Sequence, residues 1–168
     1  YSNFGPMVGE VERRLAERFG VDPACVTTVS NATSGLTAAL QAESRTRRRN
    51  VNDGPAFCLL PAWTFVATLH AVLAAGLEPY LLDVDEETWA LTPECVENAL
   101  NRVPGEPVAV VPVSPFGRPL DMPAWDALSE RTGLAVVVDA AAAFDKGAAG
   151  VSPSVFSLHA TKVLAAGE

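Results

Sequence analysis

The chain has 168 residues, enough for one domain of ordinary size with a core of its own. Hydrophobic residues make up 49%, which argues against disorder, and a formal net charge of −8 argues against a general affinity for nucleic acid or anionic membranes. No apolar run is long enough to span a bilayer, and no signal peptide is legible. Three scattered cysteines (Cys25, Cys58, Cys95) offer neither a metal site nor a disulfide framework, so the expected setting is a reducing, cytoplasmic one.

Taken in chain order, Val8 to Phe19 carries apolar residues at helical spacing, and Gly20 is a stop signal. Val26 to Ser30 is short and β-branched and predicts a strand. Thr33 to Glu43 predicts a helix that starts at Asn31-Ala32-Thr33-Ser34-Gly35. The basic residues Arg45, Arg47, Arg48 and Arg49 follow it, as solvated cations at a helix end or as a contact with a partner subunit. Phe57 to Leu60 predicts a buried strand closed by Pro61, with Cys58 as a small core residue. Thr64 to Ala75 predicts a helix ended by Gly76, and Pro79 to Leu82 a strand ending at Asp83. Thr92-Pro93-Glu94 signals a helix start, with Thr92 as cap, and the helix runs to about Arg102. Val108 to Val113 predicts a strand and Asp121 to Thr132 a helix ended by Gly133. Ala135 to Asp139 is the next strand, and Val155 to Ser157 a last short one.

Strands and helices alternate, and the strands are continuous apolar runs. That pattern predicts an α/β fold of three layers (α/β/α) around a mostly parallel sheet. In such sheets ligands bind beyond the carboxyl ends of the strands. Four candidate segments fall there: Ser30 to Thr33, Pro61 to Phe65, Ser114-Pro115, and Asp139. Ala32-Thr33-Ser34-Gly35 opens a helix with small residues, which suits a phosphate or, more simply, ordinary capping. Phe65 can stack on a flat ring or pack in the core. Asp139 ends a strand with one carboxylate, and Ser157-Leu158-His159-Ala160-Thr161-Lys162 follows. A pyridoxal phosphate (PLP) enzyme needs this combination: a lysine to form a Schiff base with the aldehyde and an acid to pair with the pyridinium nitrogen. In the joint picture Thr33 and Ser157 hold the phosphate, Phe65 lies against the ring, Asp139 faces its nitrogen and Lys162 reaches its aldehyde. His159 is either a structural histidine or a catalyst.

The same segments resemble the DegT-type sugar aminotransferases, a family of fold-type-I PLP enzymes, through nearly the whole chain. Tyr1 to Pro6 with Glu10 to Phe19 resembles the family's opening helix, and Ser30 to Leu36 its phosphate loop. Pro61-Ala62-Trp63-Thr64-Phe65-Val66-Ala67-Thr68 resembles its aromatic segment, with Phe65 at the ring-stacking position. Asp139-Ala140-Ala141 resembles the acid motif, and Ser157 to Lys162 the Schiff-base motif. Ala142 stands where Gln is usual, which removes a side chain that would hydrogen-bond near the cofactor's phenolic oxygen. Ala32 stands where many members have Gly.

The resemblance implies a PLP-dependent aminotransferase that moves an amino group, usually from glutamate, to a keto group of a nucleotide-linked sugar. Lys162, Asp139 and His159 would be the catalytic residues. Ala32, Thr33, Phe65, Asp139, Ser157 and Lys162 would bind the cofactor, and no metal is expected. Residues 1–168 would be the N-terminal part of the PLP-binding large domain. The start at Tyr1 and the stop at Gly167-Glu168 are read as a fragment of a longer protein, expected to work as a homodimer with neither nucleic acid nor membrane as partner. Two alternatives stay open: a non-catalytic or truncated PLP-fold domain, and a PLP-dependent sugar dehydratase, in which His replaces the Schiff-base Lys.

Overall fold

A computed structural model describes residues 5–47, 54–147 and 149–166. The expectations at Tyr1 to Phe4, Arg48, Arg49 and Gly167-Glu168 lie outside the described residues. The chain divides into two compact units, residues 1–30 and 31–168.

The first unit is built on α1 (Pro6–Phe19). Pro6 suits the first turn, where its missing N–H costs no hydrogen bond. Gly20 ends the helix in the left-handed region at φ 66°, with its N–H bonded to Ala16 and Glu17 carbonyls. On the solvent side Glu10 pairs with Arg13 at 2.8 Å and Arg14 at 2.7 Å. The Arg13 and then the Arg14 hydrogen bonds hold the Glu10 carboxyl down at about 2. The strand predicted over Val26 to Ser30 does not form. The Thr28 amide and hydroxyl both donate to one Glu12 carboxylate oxygen, at 2.7 and 2.9 Å. A β-branched run becomes a strand only when another strand takes its amides, and here a side chain takes one instead.

The second unit carries the sheet. Helix α2 (Ala32–Arg47) leads into strand β1 (Ala56–Pro61), then α3 (Val66–Ala74), β2 (Glu78–Leu82), α4 (Pro93–Ala99) and β3 (Glu106–Val110). Helix α5 (Met122–Thr132), β4 (Ala135–Val136), β5 (Val138–Asp139) and β6 (Ser154–Val155) complete it. The caps follow the sequence. The Thr92 hydroxyl accepts from the Cys95 amide at 3.2 Å, the Asp121 carboxylate accepts from the Ala124 amide, and Gly133 takes φ 76°.

The main sheet has the order β2-β1-β3-β4, with every pair parallel, and β5 pairs in parallel with β6. A parallel bridge between Val113 and Asp139 extends the β3 line past its last ladder residue, so the 135–139 run follows β3 to its carboxyl end. Side chains alternate between two cores. Leu59, Val110, Val136 and Val138 point to the layer of Val96, Ala99, Trp125 and Leu128 from α4 and α5. Cys58, Leu60, Val111, Ala135 and Val137 point to the layer of Leu36, Leu40, Ala71 and Val72 from α2 and α3. Strands buried on both faces explain the unbroken apolar runs. Burial pushes the Cys58 thiol far above its usual range, as a core cysteine requires.

Arg47 does not behave as a solvated cation. Its Nη1 donates to Ser129 Oγ at 2.8 Å and to the Leu134 carbonyl at 2.7 Å, which ties the end of α2 to the end of α5. Among the described residues, no helix is long and apolar enough to cross a membrane.

Candidate active site

The carboxyl ends of β1, β2, β3 and β5 carry the candidate residues. Asp139 ends β5 with its backbone pinned on both sides: its N–H donates to the Pro112 carbonyl and its C=O accepts from Ser114 N–H, both at 2.9 Å. The residue is only 7% exposed. Oδ2 accepts from Thr68 Oγ1 at 2.7 Å, and Oδ1 accepts from the Ala141 amide at 3.1 Å. Among the described residues no Lys, Arg or His lies in ion-pair range of it. A buried carboxylate that keeps two neutral donors and has no cation is costly. It has the chemistry to accept one more, positively charged N–H.

Asn31 caps α2 by accepting from the Ser34 amide through Oδ1 at 2.8 Å. Among the described residues, the amides of Ala32 and Thr33, at the positive end of a 16-residue helix, have no acceptor. This is a donor set for an anion, and Ala32 and Thr33 are the residues the sequence singles out. Phe65 is 76% exposed at the N-cap of α3 and is not a core residue.

The Ser157-to-Lys162 segment follows β6 as a tight turn. Ser157 is buried, and its Oγ accepts from the His159 amide at 3.3 Å. His159 is exposed, with Nδ1 2.9 Å from Thr161 Oγ1 and accepting from the Thr161 amide at 3.2 Å. The Lys162 amide donates to the His159 carbonyl at 2.8 Å. Among the described residues the Lys162 ammonium has no hydrogen-bond or ion-pair partner. Strand β6 ties this turn to Asp139, because the Ala140 amide donates to the Val155 carbonyl at 2.9 Å.

Sequence reasoning assigns no role to several residues that the fold gathers here. Thr64 and Thr68 lie inside the aromatic segment, and the contact with Asp139 has no local signal. Trp89 comes from the turn after β2, where Asp85 accepts from the Thr88 hydroxyl at 2.6 Å and from its amide. Trp63 meets Trp89 edge to face with centroids 5.4 Å apart, and Trp89 meets Phe116 at 6.3 Å. Trp89 and Phe116 line an open cleft of about 540 Å³ together with Thr88, Arg118 and Lys146. Both are at positive φ, 58° and 51°, the only non-glycine residues so placed among the described residues. Bulky residues held there store strain, which concentrates at functional sites.

Gly117 anchors this cleft. It has φ 80°, and a Cβ there would lie 2.6 Å from the Ala142 carbonyl oxygen. Gly117→Ala is therefore expected to lower stability by about 1–3 kcal/mol, read by thermal unfolding. An unchanged melting temperature would mean that the loop relaxes freely. At position 142 it is thus the backbone that packs against Gly117, whatever the side chain.

An acid at a strand end, a helix N-terminus with free amides and a lysine turn are the parts that a PLP-type transferase site requires. The profile of the DegT/DnrJ/EryC1/StrS aminotransferase family matches residues 1–168, and the chain belongs to that family. Among solved structures, a Bacillus cereus protein classed as a PLP-dependent aminotransferase is 32% identical, with a TM-score of 0.83 over 99% of this chain and 45% of its own. The aminotransferase TlmJ of Streptoalloteichus hindustanus is 31% identical, with a TM-score of 0.78 over 95% of this chain and 42% of its own. DesI, solved with its TDP-sugar product, is 35% identical, with a TM-score of 0.74 over 95% of this chain and 39% of its own. The chain therefore spans less than half the length of these relatives.

Proposed function

We propose that this chain forms the cofactor-binding part of a PLP-dependent aminotransferase acting on a nucleotide-linked keto-sugar, with glutamate as amino donor. The observation that carries this reading is Asp139: a buried carboxylate at the carboxyl end of a parallel strand, hydrogen-bonded by a hydroxyl and an amide and, among the described residues, lacking a cation. When bound, PLP supplies an aldehyde that condenses with amines and a ring that withdraws electrons.

Asp139 would accept the ring N–H and hold the proton on that nitrogen. The Ala32 and Thr33 amides, the Thr33 hydroxyl and Ser157 Oγ bind the phosphate, favoured by the α2 dipole. Phe65 covers the ring face. Lys162 supplies the amine that anchors the cofactor, and its Nζ, once free and neutral, takes a proton from the substrate carbon and returns it. Backbone bonds to and from His159 set the turn that presents Lys162. The presence of lysine rather than histidine at 162 favours transamination over dehydration.

The cleft of Trp89, Phe116, Arg118 and Lys146 supports the substrate class. Exposed aromatic rings beside two cations suit a ligand that joins a flat base to phosphates. Trp89→Ala is expected to raise KM for the nucleotide-sugar roughly tenfold with kcat little changed, since base stacking is worth about 1–3 kcal/mol. An unchanged KM would place the nucleotide elsewhere. A homodimer is part of the reading: β2 leaves Leu81 exposed, and α3 leaves Val66 and Leu73 exposed, apolar surface for a second subunit to cover. Sedimentation velocity of the intact protein tests this, and a monomer at working concentration refutes it.

The direct test of function is the glutamate half-reaction. The intact protein, loaded with PLP and freed of excess, should convert glutamate to 2-oxoglutarate in about one equivalent per site and stop until a keto-sugar is added. Retention of PLP without any turnover would favour the non-catalytic alternative.

A further inference from the structure

We infer that Thr68, itself oriented by Thr64, is a positioning residue for the Asp139 carboxylate; its link to the cofactor rests on the function proposed above. Thr68 is fully buried on the first turn of α3, and Thr64 lies just before that helix. Thr64 Oγ1 and Thr68 Oγ1 are 2.7 Å apart, and Thr68 Oγ1 is 2.7 Å from Asp139 Oδ2. A hydroxyl has one proton to give, and an ionised carboxylate only accepts. Thr68 must therefore give its proton to Asp139, and Thr64 must donate to Thr68. The row of oxygens has one polarity, Thr64 to Thr68 to Asp139. The pair thus fixes Asp139 Oδ2 through a hydrogen bond in a dry place, where such bonds are strong.

Two other threonines of this protein show what an ordinary helix threonine does. Thr37 Oγ1 donates to the Thr33 carbonyl at 2.9 Å, and Thr132 Oγ1 to the Leu128 carbonyl at 2.7 Å, each back to the residue four before it. Thr68 forgoes that bond. Its hydroxyl reaches instead to a carboxylate 71 residues further along the chain. With the Ala141 amide on Oδ1, both carboxylate oxygens are held and the group cannot rotate.

The test compares Thr68→Val, which keeps the shape and loses the hydroxyl, with Thr68→Ser, which keeps the hydroxyl and loses a methyl. Three quantities are measured on the intact protein: melting temperature, PLP dissociation constant by equilibrium dialysis, and the infrared band of the Asp139 carboxylate in the cofactor-free protein. That band is assigned by difference against Asp139→Asn. Thr68→Val should weaken PLP binding about tenfold, as loss of a hydrogen bond to a charged group predicts, and should shift the carboxylate band. Thr68→Ser should restore both, whatever stability its lost methyl costs. A purely structural threonine would give PLP affinities that follow the melting temperatures, and an unshifted band in the Val variant would overturn the assignment. If the parent protein binds no PLP, the proposed function fails, while the infrared comparison still decides the role of Thr68.

Discussion

Borohydride reduction of the PLP-loaded intact protein is expected to leave the pyridoxyl label on Lys162 and none on Lys146. Residues 1–168 contain only these two lysines, so a label mapped to this stretch falls on one or the other. Lys162 is the better candidate on physical grounds. Its backbone is held in a turn by the Lys162-to-His159 bond and by the Thr161 amide on His159 Nδ1, so the side chain leaves from a fixed point. Its ammonium has no partner among the described residues, so no ion pair must break before it reacts. Lys146 is exposed and lines the cleft with Phe116 and Arg118, where a neighbouring cation suits an anionic ligand. Lys162→Ala should abolish turnover, a loss of at least about three orders of magnitude if the residue is both anchor and base. Labelling at Lys146 alone would sink the assignment and move the reacting centre to the aromatic cleft.

Much of this arrangement is legible in the amino-acid sequence. The caps are local chemistry, so Asn31, Thr92, Asp121, Gly20 and Gly133 declare the helix ends they occupy. The Ala135-to-Asp139 run reads as a buried strand because both of its faces are covered, and the acid at its end points to a ligand. Val26 to Ser30 misleads because β-branched residues announce a willingness to pair, and pairing depends on a partner strand that local sequence does not reveal. Arg47 misleads for the same reason: its position at a helix end suggests a solvated cation, while its acceptors lie on α5 and the turn after it. The hydroxyl row from Thr64 to Asp139 is invisible in sequence because it joins residues that only the sheet brings together. The Trp63, Trp89 and Phe116 cluster comes from three separate loops, none of which carries a local sign of the others. Periodicity reads which face is buried, and it does not read which loops meet at a strand's end.

Asp139→Asn should keep the fold, bind PLP more weakly but still fill at saturating PLP, and slow transamination by at least about two orders of magnitude. The amide is nearly the shape of the carboxylate, but it offers one acceptor oxygen in place of two. Ala141 N–H is fixed to the backbone and must keep an acceptor, so the asparagine oxygen turns toward it and the NH2 group faces Thr68. The Thr68 hydroxyl can rotate to accept, and the row through Thr64 then runs the other way. One N–H of the new amide finds no acceptor among these partners, so stability should fall by about 1–3 kcal/mol. What is lost is the negative charge. A neutral amide cannot hold a proton on a ring nitrogen, and without that proton the ring withdraws electrons poorly. Turnover should fall even at saturating PLP, a split that separates chemistry from binding. Near-normal turnover in Asp139→Asn would show that the ring nitrogen finds its charge partner elsewhere. A variant that fails to fold would show that the Thr68 row cannot reverse, which would make the ionised Asp139 a requirement of the fold itself.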